Sequence, residues 1–321
     1  MLSPRMRPSQ FCSLAVVSLT FAIVATGPIA GQSTDFDPSV KPLGPVQVLA
    51  KGFRFTEGPT VDRQGNLYFT DIPNQRIHRI DPTGKQTIFR EPSNQANGLM
   101  DGPGDELFAC EMNGALVALT RDGKSRRVLA DAYQGQRLNA PNDLVLDRAG
   151  GIYFTDPEYG SPKPLPQGKT AVYYRAENGT ITRLIDDLKN PNGIILSPDE
   201  QTLYVIPSSQ STMMSYPVIS PGKLGPAKLF CTLEQPMGKT NSGGDGLTVD
   251  TQGNLYITSD LGIQIIAPTG KRLGIIAVPE IPANVTFGGK DGKTLIMTAR
   301  TTVYSIAMPI AGHRFPGKVS K

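Results

Sequence analysis

Six residues with carboxylate or amide side chains recur at one position of a repeated sequence pattern. Each stands ten or eleven positions before a short apolar segment, and they are Glu57, Asn97, Asn142, Asn192, Asp245 and Asn284. Carboxylate and amide oxygens are hard ligands, which suit Ca²⁺ or another hard divalent cation. Glu57 and Asp245 would balance the charge of such an ion, so these positions predict a shared metal site.

The composition narrows the chemistry further. The chain has 2 histidines among 321 residues, which argues against a three-histidine zinc site and against a Ser-His-Asp triad. His78 falls in a predicted outer strand and His313 in the tail, so we interpret both as surface or packing residues. The formal net charge of +4 is small and forms no basic stripe, which argues against nucleic acid as a partner.

The elements that must position the polar residues are short strands separated by turns. The apolar segments begin 40, 45, 51, 52 and 40 positions apart, at Leu67, Leu107, Ile152, Leu203, Leu255 and Leu295. A spacing of about 40–50 residues is typical of the four-stranded blade of a β-propeller. The pattern therefore predicts an all-β fold, a six-bladed β-propeller over residues 43–311. Residues 302–306 offer a late strand of the final blade, and residues 46–50 would add the missing strand that closes the ring.

Equivalent positions of a repeat become equivalent positions around a ring. The six polar residues open the innermost predicted strands, so we expect their side chains to converge at one mouth of the central channel. The alternative is that each residue caps a turn, because Asn and Asp before Gly are common in turns. Glu57 fits that alternative poorly, since Glu is a weak turn former.

The N-terminal segment has the features of an export signal. Arg5 and Arg7 precede an apolar, uncharged run at residues 11–25, and small residues follow up to residue 31. Residues 1–31 are therefore predicted to be a signal peptide, with an uncleaved anchor as the alternative. A cleaved signal would make the protein secreted or periplasmic, with no membrane contact beyond the signal segment.

Two flanking segments and two cysteines complete the predicted organisation. Residues 32–42 are interpreted as a linker and residues 312–321 as a C-terminal tail. Cys110 and Cys231 are predicted to be buried, unpaired thiols, with a disulfide as the alternative in an oxidising compartment.

Several motifs, in this order and spacing, resemble those of the senescence-marker-protein/gluconolactonase/luciferin-regenerating-enzyme family, in its secreted gluconolactonase-like branch. They lie at residues 55–59, 138–144, 153–160, 190–194, 244–247 and 284–289. The resemblance covers about residues 45–310 and implies a six-bladed propeller with one central divalent metal, usually calcium. By motif match it implies Glu57, Asn142, Asn192 and Asp245 as metal ligands.

The remaining predicted site residues surround that metal. Asp245 and Asp143 are the candidate catalytic groups, and the candidate substrate contacts are Asn97, Glu111, Asn139 and Asn284. The chain departs from its relatives in two places. Ala140 stands where some members carry Arg, and Met112 follows Glu111 where many carry His, so the substrate is less defined than the metal.

The resemblance implies a metal-dependent hydrolase that opens a small sugar-type lactone, as a gluconolactonase does. The cation would polarise the lactone carbonyl, and the nucleophile would be either a metal-bound water or a water that Asp245 activates. Two alternatives stay open: an organophosphate or phosphoester hydrolase that uses the same site, and a non-catalytic propeller that binds a ligand or a protein. Asp71 and Asp156 occupy equivalent positions and are predicted to cap strand ends.

Overall fold

The computed structural model describes residues 35–315 and residue 317. The predicted signal peptide at residues 1–31 lies outside the described residues, as do the last residues of the predicted tail. Within the described part of the chain, no helix is long and apolar enough to cross a membrane.

Across this described range, the strands form six antiparallel blades, which confirms the predicted six-bladed propeller. From the channel outward, blade 1 consists of Thr56–Val61, Leu67–Asp71, Arg76–Ile80 and Gln86–Arg90. Blade 2 consists of Ala96–Asp101, Glu106–Glu111, Ala115–Thr120 and Arg126–Ala130. Blade 3 consists of Leu144–Leu146, Ile152–Asp156, Ala171–Arg175 and Ile181–Ile185.

The second half of the chain repeats this plan. Blade 4 consists of Pro191–Leu196, Thr202–Pro207, Thr212–Ser220 and Lys228–Thr232, with the short strand Lys223–Leu224 also paired to the third strand. Blade 5 consists of Leu247–Val249, Leu255–Ser259, Gly262–Ile266 and Arg272–Ile276. Blade 6 consists of Pro282–Gly288, Thr294–Ala299, Thr302–Ala307 and the N-terminal strand Gln47–Lys51. A two-residue ribbon joins Ala132–Tyr133 to Gln136–Arg137, and 3₁₀ turns occur at Pro38–Val40, Ile72–Asn74 and Pro103–Asp105.

The second strand is buried along its whole length in blades 1, 3 and 5, and beyond its first residue in blades 2, 4 and 6. In Leu67–Asp71, Ile152–Asp156 and Leu255–Ser259 every residue is buried. A strand that is covered on both faces lacks alternation of polar and apolar residues. These segments therefore read as continuous apolar runs in the sequence, and the core lies between neighbouring blades.

The turns between first and second strands are fixed by aspartates. Asp62 accepts the N–H of Asn66 at 2.8 Å and the Tyr68 hydroxyl at 3.2 Å. Asp250 accepts the Tyr256 hydroxyl at the same distance of 3.2 Å in blade 5. The repeated aspartate thus satisfies both the turn backbone and a buried tyrosine, so each turn holds its two strands in register.

The ring closes between the two ends of the propeller. Gln47–Lys51 pairs antiparallel with Thr302–Ala307, with Val48 opposite Tyr304. The innermost strands contact one another in succession from blade 1 to blade 6 and back to blade 1. The closing strand that residues 46–50 predicted is therefore present, and it covers the edge that blade 6 would otherwise expose.

The segments on either side of the propeller lie against it. In the described part of the predicted linker, the Asp37 N–H donates to Leu273 O at 2.7 Å, and Val40 is fully buried. In the described part of the predicted tail, the His313 N–H donates to Val249 O at 2.9 Å. These contacts anchor both segments to blade 5.

Three residues singled out for their chemistry are packed in the interior. Cys110 and Cys231 are buried and unpaired, as predicted. His78 lies on the third strand of blade 1, where it is buried against the rings of Phe53 and Phe69 at centroid distances of 5.0 and 5.3 Å. The histidine is therefore a packing residue, in agreement with that part of its prediction.

Candidate functional site

The innermost strands approach one another closely where the repeated polar residues lie, and glycine makes this approach feasible. The Gly98 N–H donates to Asn142 O at 2.8 Å, and the Gly193 N–H donates to Asp245 O at 2.9 Å. A Cβ atom would lie 2.6 Å from Asn142 O at Gly98 and 2.5 Å from Asp245 O at Gly193. The Gly after the polar residue therefore joins adjacent blades rather than forming a turn.

Threonines at the ends of second strands reinforce these junctions. The Thr70 hydroxyl donates to Asn97 O at 3.1 Å, and the Thr155 hydroxyl donates to Asn192 O at 2.7 Å. Both bonds cross from one blade to the next. The backbone at Asn97 and at Asn192 is therefore hydrogen-bonded to the preceding blade and to the following blade. Their side chains remain free to face the channel.

Five of the predicted site residues line one cavity at this mouth of the channel, whose volume is about 690 Å³. They are Glu57, Asn97, Asn142, Asn192 and Asp245. This set includes all four predicted metal ligands. The convergence expected from the repeat is therefore observed for these residues, and the turn-cap alternative does not describe them.

Asp143 and Asn284 lie deeper. They line a second cavity of about 360 Å³, which opens toward the other end of the inner strands. The Asn284 side chain is hydrogen-bonded to the carboxylates of Glu57 and Asp143. Asn284 was predicted to face substrate, but its position is behind Glu57, between the two cavities. It is also only 6% exposed.

Glu111 and Asn139 line neither of these cavities. The Glu111 carboxylate is paired with Arg126 at 2.5 Å. The Asn139 side chain donates to Lys169 O at 2.9 Å and accepts the Gln167 N–H at 3.0 Å. Both residues are almost completely buried, so their role as substrate contacts stays a prediction that their surroundings do not support.

The carboxylates of the site carry negative charge in a poorly solvated place. Burial raises the pKa of Asp245 and of Asp143 to about 7. Burial and then the nearby charge of Asp245 raise the pKa of Glu57 well above its usual range. A bound cation would favour the ionised form of each carboxylate and so remove this energetic penalty.

The donor set fits a hard divalent cation. Asn142 and Asn192 line the cavity beside the two carboxylates and are only 5% and 6% exposed, so their amides supply neutral oxygen donors next to Glu57 and Asp245. Residues 35–315 and 317 contain no group of three or more His, Cys, Asp or Glu that could hold a metal ion. Metal binding here would therefore depend on amide oxygens in addition to Glu57 and Asp245, which is a ligand set suited to calcium.

The wall of the cavity comes from the turns that follow the second strands. Every blade contributes to it, through Ile72, Met112, Tyr159, Ser208, Asp260 and Arg300. The sequence interpretation missed most of these residues because their side chains share no chemistry. Their common position after the second strand was the signal that could have found them.

Asp71 and Asp156, the last residues of their second strands, accept hydrogen bonds from backbone N–H groups. Asp71 accepts the Phe55 N–H at 3.1 Å, and Asp156 accepts the N–H groups of Asn139 and Ala140 at 2.9 and 2.7 Å. Both aspartates therefore cap the backbone at strand ends, as predicted.

Fold and site together define a six-bladed propeller whose inner strands place carboxylate and amide side chains at one mouth of the central channel. The family model of the SMP-30/Gluconolactonase/LRE-like region matches residues 55–301. The chain therefore belongs to this family, which confirms the resemblance seen in the motifs.

Individual relatives agree with this assignment. A gluconolactonase of Zymomonas mobilis is 29% identical, and the alignment covers 95% of this chain and 98% of the relative. The solved gluconolactonase of Xanthomonas campestris has 27% identity and a TM-score of 0.76, with 86% of this chain and 91% of that chain covered. A calcium-binding regucalcin of Agrobacterium tumefaciens has a TM-score of 0.72 at 20% identity, with 84% and 96% covered, and shares the fold.

Proposed function

We propose that this protein is a metal-dependent lactonase that opens small sugar-type lactones. The observation that supports this most is the convergence of Glu57, Asn142, Asn192 and Asp245 on one cavity, where burial raises the pKa of both carboxylates. The similarity to the gluconolactonase of Zymomonas mobilis, which extends over 95% of this chain, supports the reaction class.

The proposed mechanism assigns distinct tasks to the residues. Glu57, Asn142, Asn192 and Asp245 would hold the divalent cation, most simply Ca²⁺, which supplies Lewis-acid polarisation of the lactone carbonyl. The Asp245 carboxylate faces the same cavity and accepts a proton from the attacking water.

Other residues keep these groups in place. The Asn192 side chain is hydrogen-bonded to Asp245, and the Gly58 N–H donates to Glu57 Oε2 at 3.0 Å. Asp143 was predicted to assist catalysis directly. Because it lines the deeper cavity and contacts Asn284, we propose that it acts by positioning Glu57 through that amide.

The test is hydrolysis of glucono-1,5-lactone, followed by titration of the acid released. We expect activity to disappear with a chelator, to return with Ca²⁺, and to fall at least about 100-fold in Asp245→Asn and Glu57→Gln. Glu234→Gln is the matched control, because this acid lies outside both cavities in an ion pair with Arg272. Activity that survives both chelation and Asp245→Asn would contradict the mechanism.

The same experiment separates the other candidate activities. Turnover of a phosphotriester with none of the lactone would indicate the phosphoester hydrolase. Calcium binding without turnover of either substrate would indicate a propeller that only binds ligands.

We also propose that residues 1–31 direct export, so that the mature enzyme is secreted or periplasmic. N-terminal sequencing of the protein recovered from the extracellular or periplasmic fraction tests this. Full-length protein retained inside the cell would contradict it.

A further inference from the structure

Arg300 differs in charge from everything else in the wall of the cavity. Among the described residues that line it, Glu57, Asp245 and Asp260 are acidic and Arg300 is the one basic residue. Asp260 is already neutralised, because Lys239 Nζ lies 2.7 Å from its Oδ2. A divalent cation would neutralise Glu57 and Asp245, which leaves Arg300 as an unbalanced positive charge.

The guanidinium group of Arg300 is available to a ligand. Among the ion pairs of residues 35–315 and 317, none includes this group, and its charge acts on the Asp245 and Asp260 carboxylates without a direct ion pair to either. The nearby acid Glu280 is engaged elsewhere, since its oxygens accept the Thr301 N–H and the Tyr304 hydroxyl, both at 3.0 Å. An unpaired guanidinium beside a polar cavity is suited to bind a carboxylate or a phosphate in a bidentate manner.

The backbone and a neighbouring ring hold Arg300 in place. Arg300 O accepts the Thr56 N–H at 2.8 Å and the Thr56 hydroxyl at 3.2 Å. Its guanidinium carbon lies 5.4 Å from the ring centroid of Phe55, which also lines the cavity. These contacts link the arginine directly to the segment that carries Glu57.

The conformation of Arg300 is unusual for a residue with a side chain. Its φ is 47°, in the left-handed region, at a turn position that usually takes Gly, Asn or Asp. Such outliers persist where surrounding structure holds them and are concentrated at functional sites. The turn thus places a long cationic side chain, rather than a small residue, at the rim of the cavity.

We propose that Arg300 binds a second acidic group of the substrate, so that the enzyme prefers lactones that carry a carboxylate or phosphate over neutral sugar lactones. This inference rests on the proposed lactonase function and names its substrate class. The cation site and Arg300 lie in one cavity of about 690 Å³, which is large enough to hold a six-carbon lactone. The lactone ring would occupy the centre and the second acidic group would face the rim.

The experiment compares kcat/KM for glucono-1,5-lactone, glucaro-1,4-lactone and 6-phosphogluconolactone. We expect the wild type to prefer at least one anionic lactone, and the identity of that lactone distinguishes carboxylate from phosphate. In Arg300→Gln the ratio of anionic to neutral kcat/KM falls about 10- to 100-fold, the range for loss of a charge-assisted bond. Arg300→Lys retains part of the preference, because the charge remains while the bidentate geometry is lost.

The matched control is Arg272→Gln, which makes the same change in net charge on the outermost strand of blade 5. We expect it to leave the ratio unchanged. An unchanged ratio in Arg300→Gln, or a wild type that prefers the neutral lactone, would overturn the inference while the lactonase function stands.

A binding measurement keeps the inference testable without turnover. Calorimetric titration of the calcium-loaded protein with glucarate should show binding that weakens about 10- to 100-fold in Arg300→Gln and not in Arg272→Gln. Arg300-dependent binding by a protein that hydrolyses no lactone would support the anion site and reject the lactonase function. Equal or absent binding in wild type and Arg300→Gln would overturn the anion site.

Discussion

The guanidinium of Arg126 holds both carboxylate oxygens of Glu111, with Nη2 at 2.5 Å from Oε2 and Nε at 2.8 Å from Oε1. The carboxylate is 1% exposed and the guanidinium 27%. The pair joins the second and fourth strands of blade 2, across the third strand. The sequence predicted that Glu111 contacts substrate. In the structure its carboxylate instead forms an ion pair with Arg126 inside blade 2.

Removing one partner of this pair should destabilise the fold. We expect Arg126→Met to lower the free energy of unfolding by about 3 kcal/mol, because it leaves a buried carboxylate without its countercharge. Urea denaturation of Arg126→Met, Glu111→Gln and the double variant measures the coupling. A double variant whose loss equals the sum of the single losses would show that the two side chains do not stabilise each other.

Calcium should stabilise the folded protein through the same residues that are proposed to bind it. At a free Ca²⁺ concentration about 100 times the dissociation constant, the stabilisation is about 2.7 kcal/mol. That corresponds to a rise in Tm of roughly 4–6 °C for a chain of this size. Differential scanning calorimetry with and without Ca²⁺ measures the shift.

Asp245→Asn should lose most of this Tm shift, whereas Glu234→Gln, outside both cavities, should keep it. The metal-free Asp245→Asn protein should also be at least as stable as the metal-free wild type, because one source of repulsion on Glu57 is removed. An equal Ca²⁺ shift in both variants would place the ion elsewhere.

His78 should make the protein sensitive to mild acid. Burial lowers its pKa below the ordinary 6.5, so the folded state keeps the ring neutral while the unfolded chain binds a proton. Its contribution is therefore fully present above pH 6.5 and is lost as the pH falls through 6.5 toward the lowered folded pKa. Neither ring nitrogen has a hydrogen-bond partner among the described residues.

His78→Phe would extend the aromatic cluster of Phe53 and Phe69 and remove both unpaired nitrogens. We expect a gain of about 1 kcal/mol at pH 7.5 and a larger gain at pH 5.5, measured by urea denaturation. His313→Phe is the comparison for a less central histidine. A gain that is the same at the two pH values would refute a titrating role for His78.

Asn284 should affect the site through Glu57 rather than through substrate. We expect Asn284→Ala to lower kcat and Ca²⁺ affinity about 10- to 100-fold, the range for groups that orient a metal ligand, with little change in KM. Asn97→Ala provides the contrast, because Asn97 lines the outer cavity and its loss should raise KM. Steady-state kinetics and calcium titration of the two variants distinguish these roles. If Asn284→Ala changed only KM, Asn284 would contact substrate, as the sequence predicted.

Much of the fold followed from the sequence because a propeller repeats. The apolar runs at Leu67–Asp71 and Leu255–Ser259 are continuous since both faces are covered by neighbouring blades. Their spacing determines the blade count, and the polar residue before each run is carried to the same end of the ring. For this reason the repeat alone predicts the convergence of Glu57, Asn142, Asn192 and Asp245 that the structure shows.

What the sequence could not determine depends on side-chain direction and on partners far away in the chain. Asn284 shares its repeat position with Asn97, yet it turns toward Glu57 and Asp143 and lies at the deeper cavity. Glu111 is the last residue of a second strand, as Asp71 and Asp156 are, but its carboxylate is paired with Arg126. Repetition fixes where a backbone position lies on the ring, whereas the choice among rotamers and ion pairs is made by non-local packing, which only the tertiary structure reveals.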